Sequence, residues 1–447
     1  MWRLILWIRG QRPIQMKINF NVLAEVNPVF RPVWTSKYPY NILRGGRNSF
    51  KSSVISMLLL YKMLRMIQRG HKANVIILRK VASHIRDTVY QQVKWAISKF
   101  DLENQFESRV SPFRIYHKAS GSTFYFYGQD DVQKLKGNAV DDIIAVWYEE
   151  ATEFADKEEF DQNFATFARQ KSPHVDQIQF FWSYNPPRNP YNWVNEWSKD
   201  LEDAPNYFVH DSNYTMDTLG FVTDQMLEEI ERIKENDFDY YRFLYLGEPV
   251  GLGNNVYNFE LFHQIDELPS GEFIMSISYA LDTGHQQSAT ALVCIGLTNK
   301  HNVVVLDTYY YSPVGKVRKL APDELSENIH TFIQETSKWP IYKRTIDSAE
   351  GAIRNQYYKD YGVEWHPIAK KKNVVMIENV VTLLAQGRVF VINNENNQIF
   401  LQQHRDYLWD EKSIRTENPK TIEIDDHLPD AFKYYVNDNL QELGLVW

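Results

Sequence analysis

Between Tyr40 and Tyr184, short apolar runs alternate with a long stretch whose apolar residues recur every three to four positions. YNILRGG, ANVIILRK, STFYFYG, DIIAVWYEE and QIQFFWSYNPP are bounded by polar or turn-forming residues and read as strands. SSVISMLLLYKMLRMIQRG has helical spacing. Strands alternating with helices predict a parallel sheet with crossover helices. The tract 239-DYYRFLYLGEPVGLGNN-255 breaks the pattern and ends in glycine-rich sequence, which places a linker at 251–270 between domains 1–250 and 271–447.

The second half begins with ISYALDTG, ATALVCIG and NVVVLDTYYY, three successive strands of a meander. An amphipathic helix, DELSENIHTFIQETSKW, follows, then the strand YKRTIDSAE, the helix KNVVMIENVVTLLAQG, the short strand RVFVI and a final helix around HLPDAFKYYV. This predicts a second α/β domain, and no internal repeat is visible.

A chain of 447 residues agrees with two sizeable domains, and 44% hydrophobic with 14% aromatic residues supplies enough apolar mass for globular cores. Its single cysteine, Cys294, excludes an internal disulfide and a cysteine-based zinc site, so a reducing compartment is expected and metals would be held by carboxylates or histidines. The net charge of -8 excludes a uniformly basic nucleic-acid coat but leaves room for local basic surfaces. The apolar run in MWRLILWIRGQR is broken by Arg3 and Arg9 and lacks a small-residue cleavage site. No segment reaches the ~20 apolar residues of a membrane helix. A soluble, cytosolic protein is expected, with Met16 an alternative start.

The stretch 44-RGGRNSFKSS-53 lies between a strand and the long helix and fits G-x-x-x-x-G-K-[ST] with Gly45, Lys51 and Ser52, except that Phe50 stands where the last glycine belongs. In such a loop Lys51 reaches the β- and γ-phosphates, Ser52 ligates Mg2+, and the amides at the helix N-terminus cradle the anion. The loop can work if Phe50 adopts a helical conformation in the first turn. The plain reading is a basic strand-to-helix turn capped by Ser49. In 143-IIAVWYEEATEF-154 an apolar strand ends in two acids: Glu149 suits Mg2+ and Glu150 the base that positions an attacking water. A solvated strand end is the alternative. QIQFFWSYNPP ends in Ser183, Asn185 and Pro186, where a polar side chain could sense the γ-phosphate.

These residues resemble the large subunit of tailed-bacteriophage terminases from about Val33 to Tyr435, through GGR-x-S-x-KS, W-x-EEA and S-x-NP. The resemblance implies an N-terminal P-loop NTPase domain, a parallel-rich sheet with flanking helices, and a C-terminal ribonuclease-H-like nuclease domain. It implies ATP-driven translocation of double-stranded viral DNA into a procapsid and two-metal cleavage of concatemeric DNA. Carried over by position, Gly45, Gly46, Arg47, Ser49, Lys51, Ser52 and Glu149 bind ATP and its Mg2+, Glu150 is catalytic, and Ser183 and Asn185 couple hydrolysis to movement. Arg47 is also a candidate for the developing charge, Arg79 is a second candidate arginine, and 240-YYRFLYLGEP-249 resembles the segment that closes the ATPase domain. The implied partners are a small terminase subunit, the portal protein and other copies in a ring, a pentamer on the procapsid, in the cytoplasm of an infected bacterial host.

A two-metal nuclease needs acids around Mg2+ or Mn2+ ions about 3.5–4 Å apart. Asp282 and Asp347 each end a strand, and in 425-DDHLPDAFKYY-435 the spacing lets Asp426, His427 and Asp430 share one helix face, with Pro429 tolerated in the first turn. H-x-x-D-A at His427, Asp430 and Ala431 matches the resembled nuclease, which makes Asp282, Asp347 and Asp430 the metal site, His427 catalytic and Asp426 an accessory ligand. Asp307 also follows a strand but has no place in that pattern. Lys370, Lys371 and Lys372 could hold DNA phosphates or form a solvated turn, and the aromatics of 308-TYYYSP-313 read as sheet packing. Two rivals remain open: a helicase-nuclease of repair or recombination, and a non-catalytic DNA-binding assembly subunit whose loop Phe50 has disabled.

Overall fold

The computed structural model describes residues 2–8, 11–18, 20–129, 140–284 and 288–445. Two compact units emerge, Met1–Glu231 with Asp239–Gly251, and Arg232–Phe238 with Leu252–Trp447. At the start of the chain, β1 (Trp2–Ile8) and β2 (Gln11–Ile18) form an antiparallel hairpin. Among the described residues no helix is long and apolar enough to cross a membrane.

In the first unit the strands are β3 (Tyr40–Gly45), β4 (Asn74–Arg79), β5 (Phe106–Val110), β6 (Phe113–His117), β7 (Thr123–Gly128), β8 (Ile143–Glu149), β9 (Gln179–Tyr184) and β10 (Tyr207–Ser212). They form an eight-stranded sheet in the order β10-β3-β9-β8-β4-β7-β6-β5. From β10 to β7 all neighbours are parallel, as the alternating pattern predicts. At the other edge β5, β6 and β7 pair antiparallel, because the short turns joining them leave no chain for a crossover. Strands β4 and β8 are buried at every position, which explains why they read as unbroken apolar runs. The helix Lys51–Gln68 buries Val54, Leu58 and Met63 against one face of the sheet. Phe160, Trp182 and Tyr184 fill the other.

The second unit contains β11 (His263–Ile265), β12 (Ile274–Thr283), β13 (Thr290–Thr298), β14 (Val303–Tyr311), β15 (Ile341–Asp347), β16 (His366–Ile368) and β17 (Val389–Ile392). Their order is β11-β17-β14-β13-β12-β15-β16. The meander β12-β13-β14 is antiparallel, and β15, β16, β17 and β11 add in parallel. Strand β11 lies inside the 251–270 stretch expected as a linker; three residues are too few to leave an apolar signature, yet they pair with β17. The last helix, His427–Asp438, lies against β12, β13 and β15 and buries Leu428, Ala431, Phe432 and Tyr435. Pro429 falls in its first turn, where a missing N–H costs no helical hydrogen bond. Asp426 precedes the helix as its N-cap residue and is not helical, so the shared helix face reduces to His427 and Asp430.

His404 is completely buried against Phe262, Phe400 and Phe432, and its Nδ1–H donates to the Phe400 carbonyl at 2.8 Å. Burial holds its pKa down to about 3. The unfolded chain takes up that proton near pH 6.5 while the folded chain does not, so stability is intact above about 6.5 and falls as the pH drops toward 3. At pH 5 the deficit is about 2 kcal/mol. His404→Phe is expected to shrink the fall in urea midpoint between neutral pH and pH 5; an unchanged fall would place the acid sensitivity elsewhere.

Candidate active sites

The phosphate-loop sequence turns out of β3 with its backbone pressed between two neighbours. A Cβ at Gly45 would stand 1.9 Å from the Ser212 carbonyl oxygen at the end of β10, and one at Gly46 would stand 2.0 Å from that of Tyr245. Tyr245 belongs to a π-helical turn, Arg242–Leu246, closed by Gly247 at φ 75°, and the Arg47 N–H donates to Leu244 O at 2.8 Å. The segment 240–249 is therefore the lid on the loop's backbone, and glycine is needed at 45 and 46 for close approach.

Phe50 is not helical. Its backbone is left-handed, φ 65° and ψ 13°, and it is the N-cap of the helix that starts at Lys51. The loop thus keeps the turn that glycine normally supplies, at a cost of about 1–2 kcal/mol for a residue with a Cβ. The ring meets Phe221 edge-on, with centroids 5.7 Å apart, and lines a cavity of about 380 Å³ together with Asn27, Ser53, Met57 and Trp95. Ser49 does not cap the helix; its hydroxyl accepts from Lys51.

Lys51 is buried, with Nζ donating to Gly45 O at 2.9 Å, Gly46 O at 3.2 Å, Ser49 Oγ at 2.8 Å and Asn185 Oδ1 at 2.8 Å. Burial lowers its pKa to about 8, against the pull of Glu150 and Glu149. Ser52 donates to Glu149 Oε1 at 2.6 Å, and the other Glu149 oxygen accepts from Ser183, which itself accepts from Trp147 Nε1 at 2.6 Å. The end of β9 thereby touches both sides of the site, Ser183 at Glu149 and Asn185 at Lys51. Burial and then the charge of Glu150 push Glu149 up to about 7. Glu150 follows in a left-handed conformation, φ 54°; burial raises its pKa, opposed by Arg79, Lys51 and Arg47. Arg79 Nη2 is tied to Glu153 Oε1 at 2.8 Å, leaving it close to both acids but committed to a third. A buried carboxylate beside a hydroxyl and a second acid is an oxygen donor set suited to Mg2+.

In the second unit, Asp347 ends β15 and Asp282 is the last residue but one of the adjacent parallel strand β12, where Leu281 pairs with Ile346. Asp430 comes from the first turn of the last helix, and all three line one open cavity of about 710 Å³ with Asp426 and His427. His427 Nδ1 is 2.6 Å from Asp282 Oδ2, and its Nε2 is 2.5 Å from Ser288 Oγ. Lys433 Nζ donates to Asp430 Oδ1 at 2.6 Å, Lys370 is ion-paired with Asp347, and Tyr434 donates to Asp347 Oδ2 at 3.0 Å with Asp430 Oδ2 3.4 Å from the same hydroxyl. Asp347 and Asp430 are thus each paired with a lysine of the chain itself and Asp282 with His427, and among the described residues no three His, Cys, Asp or Glu side chains already converge as ligands. Burial raises Asp282, and Asp430 and Asp347 add to the rise; burial and then Asp430 push Asp426 up to about 6. Asp347 goes the other way, because the Ala349 N–H and Lys370 outweigh its burial. Burial disfavours the charged form of His427, but Asp282, Asp426 and Asp430 win and raise its pKa. Crowded acids that raise one another suit divalent cations held by oxygen. Asp307 stands apart from them, accepting from Thr308 N–H at 2.9 Å and Asn396 Nδ2 at 3.0 Å.

Lys433 and Tyr434 escaped the sequence reading although their i+3 and i+4 spacing from Asp430 puts them on its helix face. Lys370 was singled out for DNA, and its place beside Asp347 is a tertiary contact that spacing could not reveal.

The family profile described as "Phage terminase large subunit" matches residues 37–248, and "Terminase RNAseH like domain" matches residues 282–438. The chain belongs to the phage terminase large subunit family. One terminase relative, the large subunit of Bacillus phage SPP1, is 32% identical over 227 residues, which is 50% of this chain and 52% of that protein, so the match spans about half the relative's length. The large terminase of a thermophilic bacteriophage superposes with a TM-score of 0.70 at 20% identity, covering 94% of this chain and 97% of that one. A structure of the same thermophilic terminase in complex with ADP gives 0.68 at 20% identity over 93% and 98% of the two chains. The shared fold is a terminase ATPase domain followed by a ribonuclease-H-like domain, both mixed α/β.

Proposed function

We propose that this chain hydrolyses ATP at Lys51, Ser52, Glu149 and Glu150 to translocate double-stranded viral DNA, and cuts that DNA at Asp282, Asp347 and Asp430. The observation that carries the first half is the hydrogen-bonded chain Ser52–Glu149–Ser183 beside Lys51–Asn185, which joins the phosphate loop to two strand ends. Lys51, held by loop carbonyls, is placed to exchange them for β- and γ-phosphate oxygens. Ser52 and Glu149 would hold Mg2+, which neutralises phosphate charge when bound. Glu150 orients and deprotonates the attacking water. The complexes of the thermophilic bacteriophage terminase with ADP and ATP-gamma-S support a nucleotide here.

In the second unit Asp282, Asp347 and Asp430, with Asp426, would hold two Mg2+ or Mn2+ ions, which supply Lewis acidity and an activated water. His427 fixes Asp282 and can carry a proton at Nε2. The remaining partners of this reading are a small terminase subunit for site choice, a portal, and further copies in a pentameric ring, acting in the host cytoplasm. The deciding experiment measures DNA-stimulated ATP hydrolysis and Mn2+-dependent duplex cleavage by the full chain and by Lys51→Ala. ATPase lost with cleavage retained supports two separate sites in one chain. A wild type without ATPase, even with DNA and the partner subunits, favours a non-catalytic assembly subunit whose loop Phe50 has disabled.

The cavity beside Phe50 adjoins the loop, is of a size for a nucleoside and is walled by aromatic rings. Phe50→Gly removes both the left-handed strain and the ring. ATPγS binding is expected to weaken several-fold while tripolyphosphate binding stays the same or tightens. Equal effects on both ligands in titration calorimetry would mean that the ring acts only on loop geometry.

A further inference from the structure

The chain leaving β14 does not pass directly into the helix Pro322–Thr336; it runs through the loop 312-SPVGKVRKL-320. The loop is ordered by its own contacts. Tyr311 Oη accepts from the Leu320 N–H at 3.0 Å and closes the base, and the Lys316 ammonium sits 4.3 Å from the Tyr311 ring centre. Inside, the Val314 N–H donates to Ser312 Oγ at 3.3 Å and the Lys316 N–H to the Pro313 carbonyl at 3.3 Å. What this ordering presents to solvent is unusual. Val314 is 76% exposed and Val317 fully exposed, although burying a valine is worth about 1.5–3 kcal/mol. Between and after them come Lys316, Arg318 and Lys319, and the loop contains no acid, in a chain whose net charge is -8. Arg318 pairs with Glu324 at 2.5 Å but keeps most of its side chain in water.

Ser312 and Val314 also line the cavity that holds Asp282, Asp347 and Asp430, as do Lys370 and Lys371 from the basic run. The loop is therefore a cationic, apolar-tipped rim on an acidic floor.

We infer that the loop 312–320 is a grip for duplex DNA at the cleavage site, with Lys316, Arg318 and Lys319 on phosphates and Val314 and Val317 against the minor groove. The charge pattern selects a polyanion, and continuity with the carboxylate cavity selects the one that the site would cut. Cation–phosphate contacts hold any sequence, while small apolar side chains meet groove walls without reading bases. The inference rests on the nuclease reading of that cavity.

The test is binding of a fluorescent duplex to the full chain in EDTA across a series of KCl concentrations, with Mn2+-dependent cleavage measured in parallel. Lys316→Ala/Arg318→Ala/Lys319→Ala is expected to reduce the slope of log affinity against log salt by about 2–3, since each phosphate contact contributes ~0.9. Val314→Ser/Val317→Ser should leave the slope and weaken binding about threefold or more. All five side chains are exposed, so an unchanged melting temperature for both variants will show that the fold is intact. A triple variant that binds with the wild-type slope and cuts at the wild-type rate overturns the grip alone. A wild type that neither binds duplex nor cuts it overturns the nuclease reading and the grip together.

Discussion

Glu150→Gln is expected to bind ATP with near wild-type affinity and to hydrolyse it about 10²–10⁴-fold more slowly, the range for loss of a general base. Glu150 stands immediately after the buried end of β8, turned by a left-handed backbone so that its carboxylate leaves the line of the strand. Its electrostatic neighbours include Arg79, Lys51 and Arg47, cations at or beside the phosphate loop. An amide of the same shape keeps the backbone and the contacts but cannot take a proton. Glu149→Gln should behave differently. Glu149 accepts from Ser52 and Ser183, so its loss disturbs the Mg2+ position and weakens Mg2+-dependent ATP binding together with turnover. Equilibrium ATP binding and steady-state hydrolysis, measured side by side, separate the two acids. Hydrolysis by Glu150→Gln at the wild-type rate would remove it as the base, and equal binding defects in both variants would make the pair a single electrostatic unit.

How much of this was legible follows from what each feature depends on. The phosphate loop, the acid pair and two carboxylates of the second cavity were visible because each lies at the end of an apolar run, and a strand fixes its tip in space. The conformation of Phe50 was not. Residue type argues against a positive φ, and the edge-on contact of the Phe50 ring with Phe221 is a tertiary feature that spacing does not show. The antiparallel edge β5-β6-β7 was missed because β5 has a largely exposed face and carries Glu107, Ser108 and Arg109 in place of an apolar run. The seat of Asp426 outside the last helix depends on where Pro429 lets the helix begin, which spacing leaves open by a residue or two. Most consequential are the internal partners of the carboxylates. The sequence shows Lys370, Lys433 and His427 but cannot say that each is bound to a different carboxylate of one cavity.

That pairing sets the expectations for the second site. Asp430→Asn should lower Mn2+-dependent duplex cleavage about 10³-fold, corresponding to about 4 kcal/mol of transition-state stabilisation, within the several kcal/mol that a metal supplies. Calorimetry should show weakened Mn2+ binding. Stability should change little, because two effects oppose each other. The substitution removes a negative charge that raises Asp282 and Asp426, and it leaves Lys433, whose side chain is 4% exposed, with weaker partners. The amide oxygen left at position 430 still accepts from Lys433, and Asn373 Oδ1 remains a second acceptor at 2.7 Å. Asp307→Asn is the matched control, a carboxylate beside a register shift in β14 whose partners are Thr308 and Asn396. It should cut DNA at the wild-type rate. If the two variants lose cleavage equally, the cavity is not the catalytic centre; if neither does, cleavage by this chain does not run through Asp430. A loss confined to Asp430→Asn, with Mn2+ affinity lost in step, assigns the metal to the cavity and makes Lys433 and Lys370 the charges it must displace.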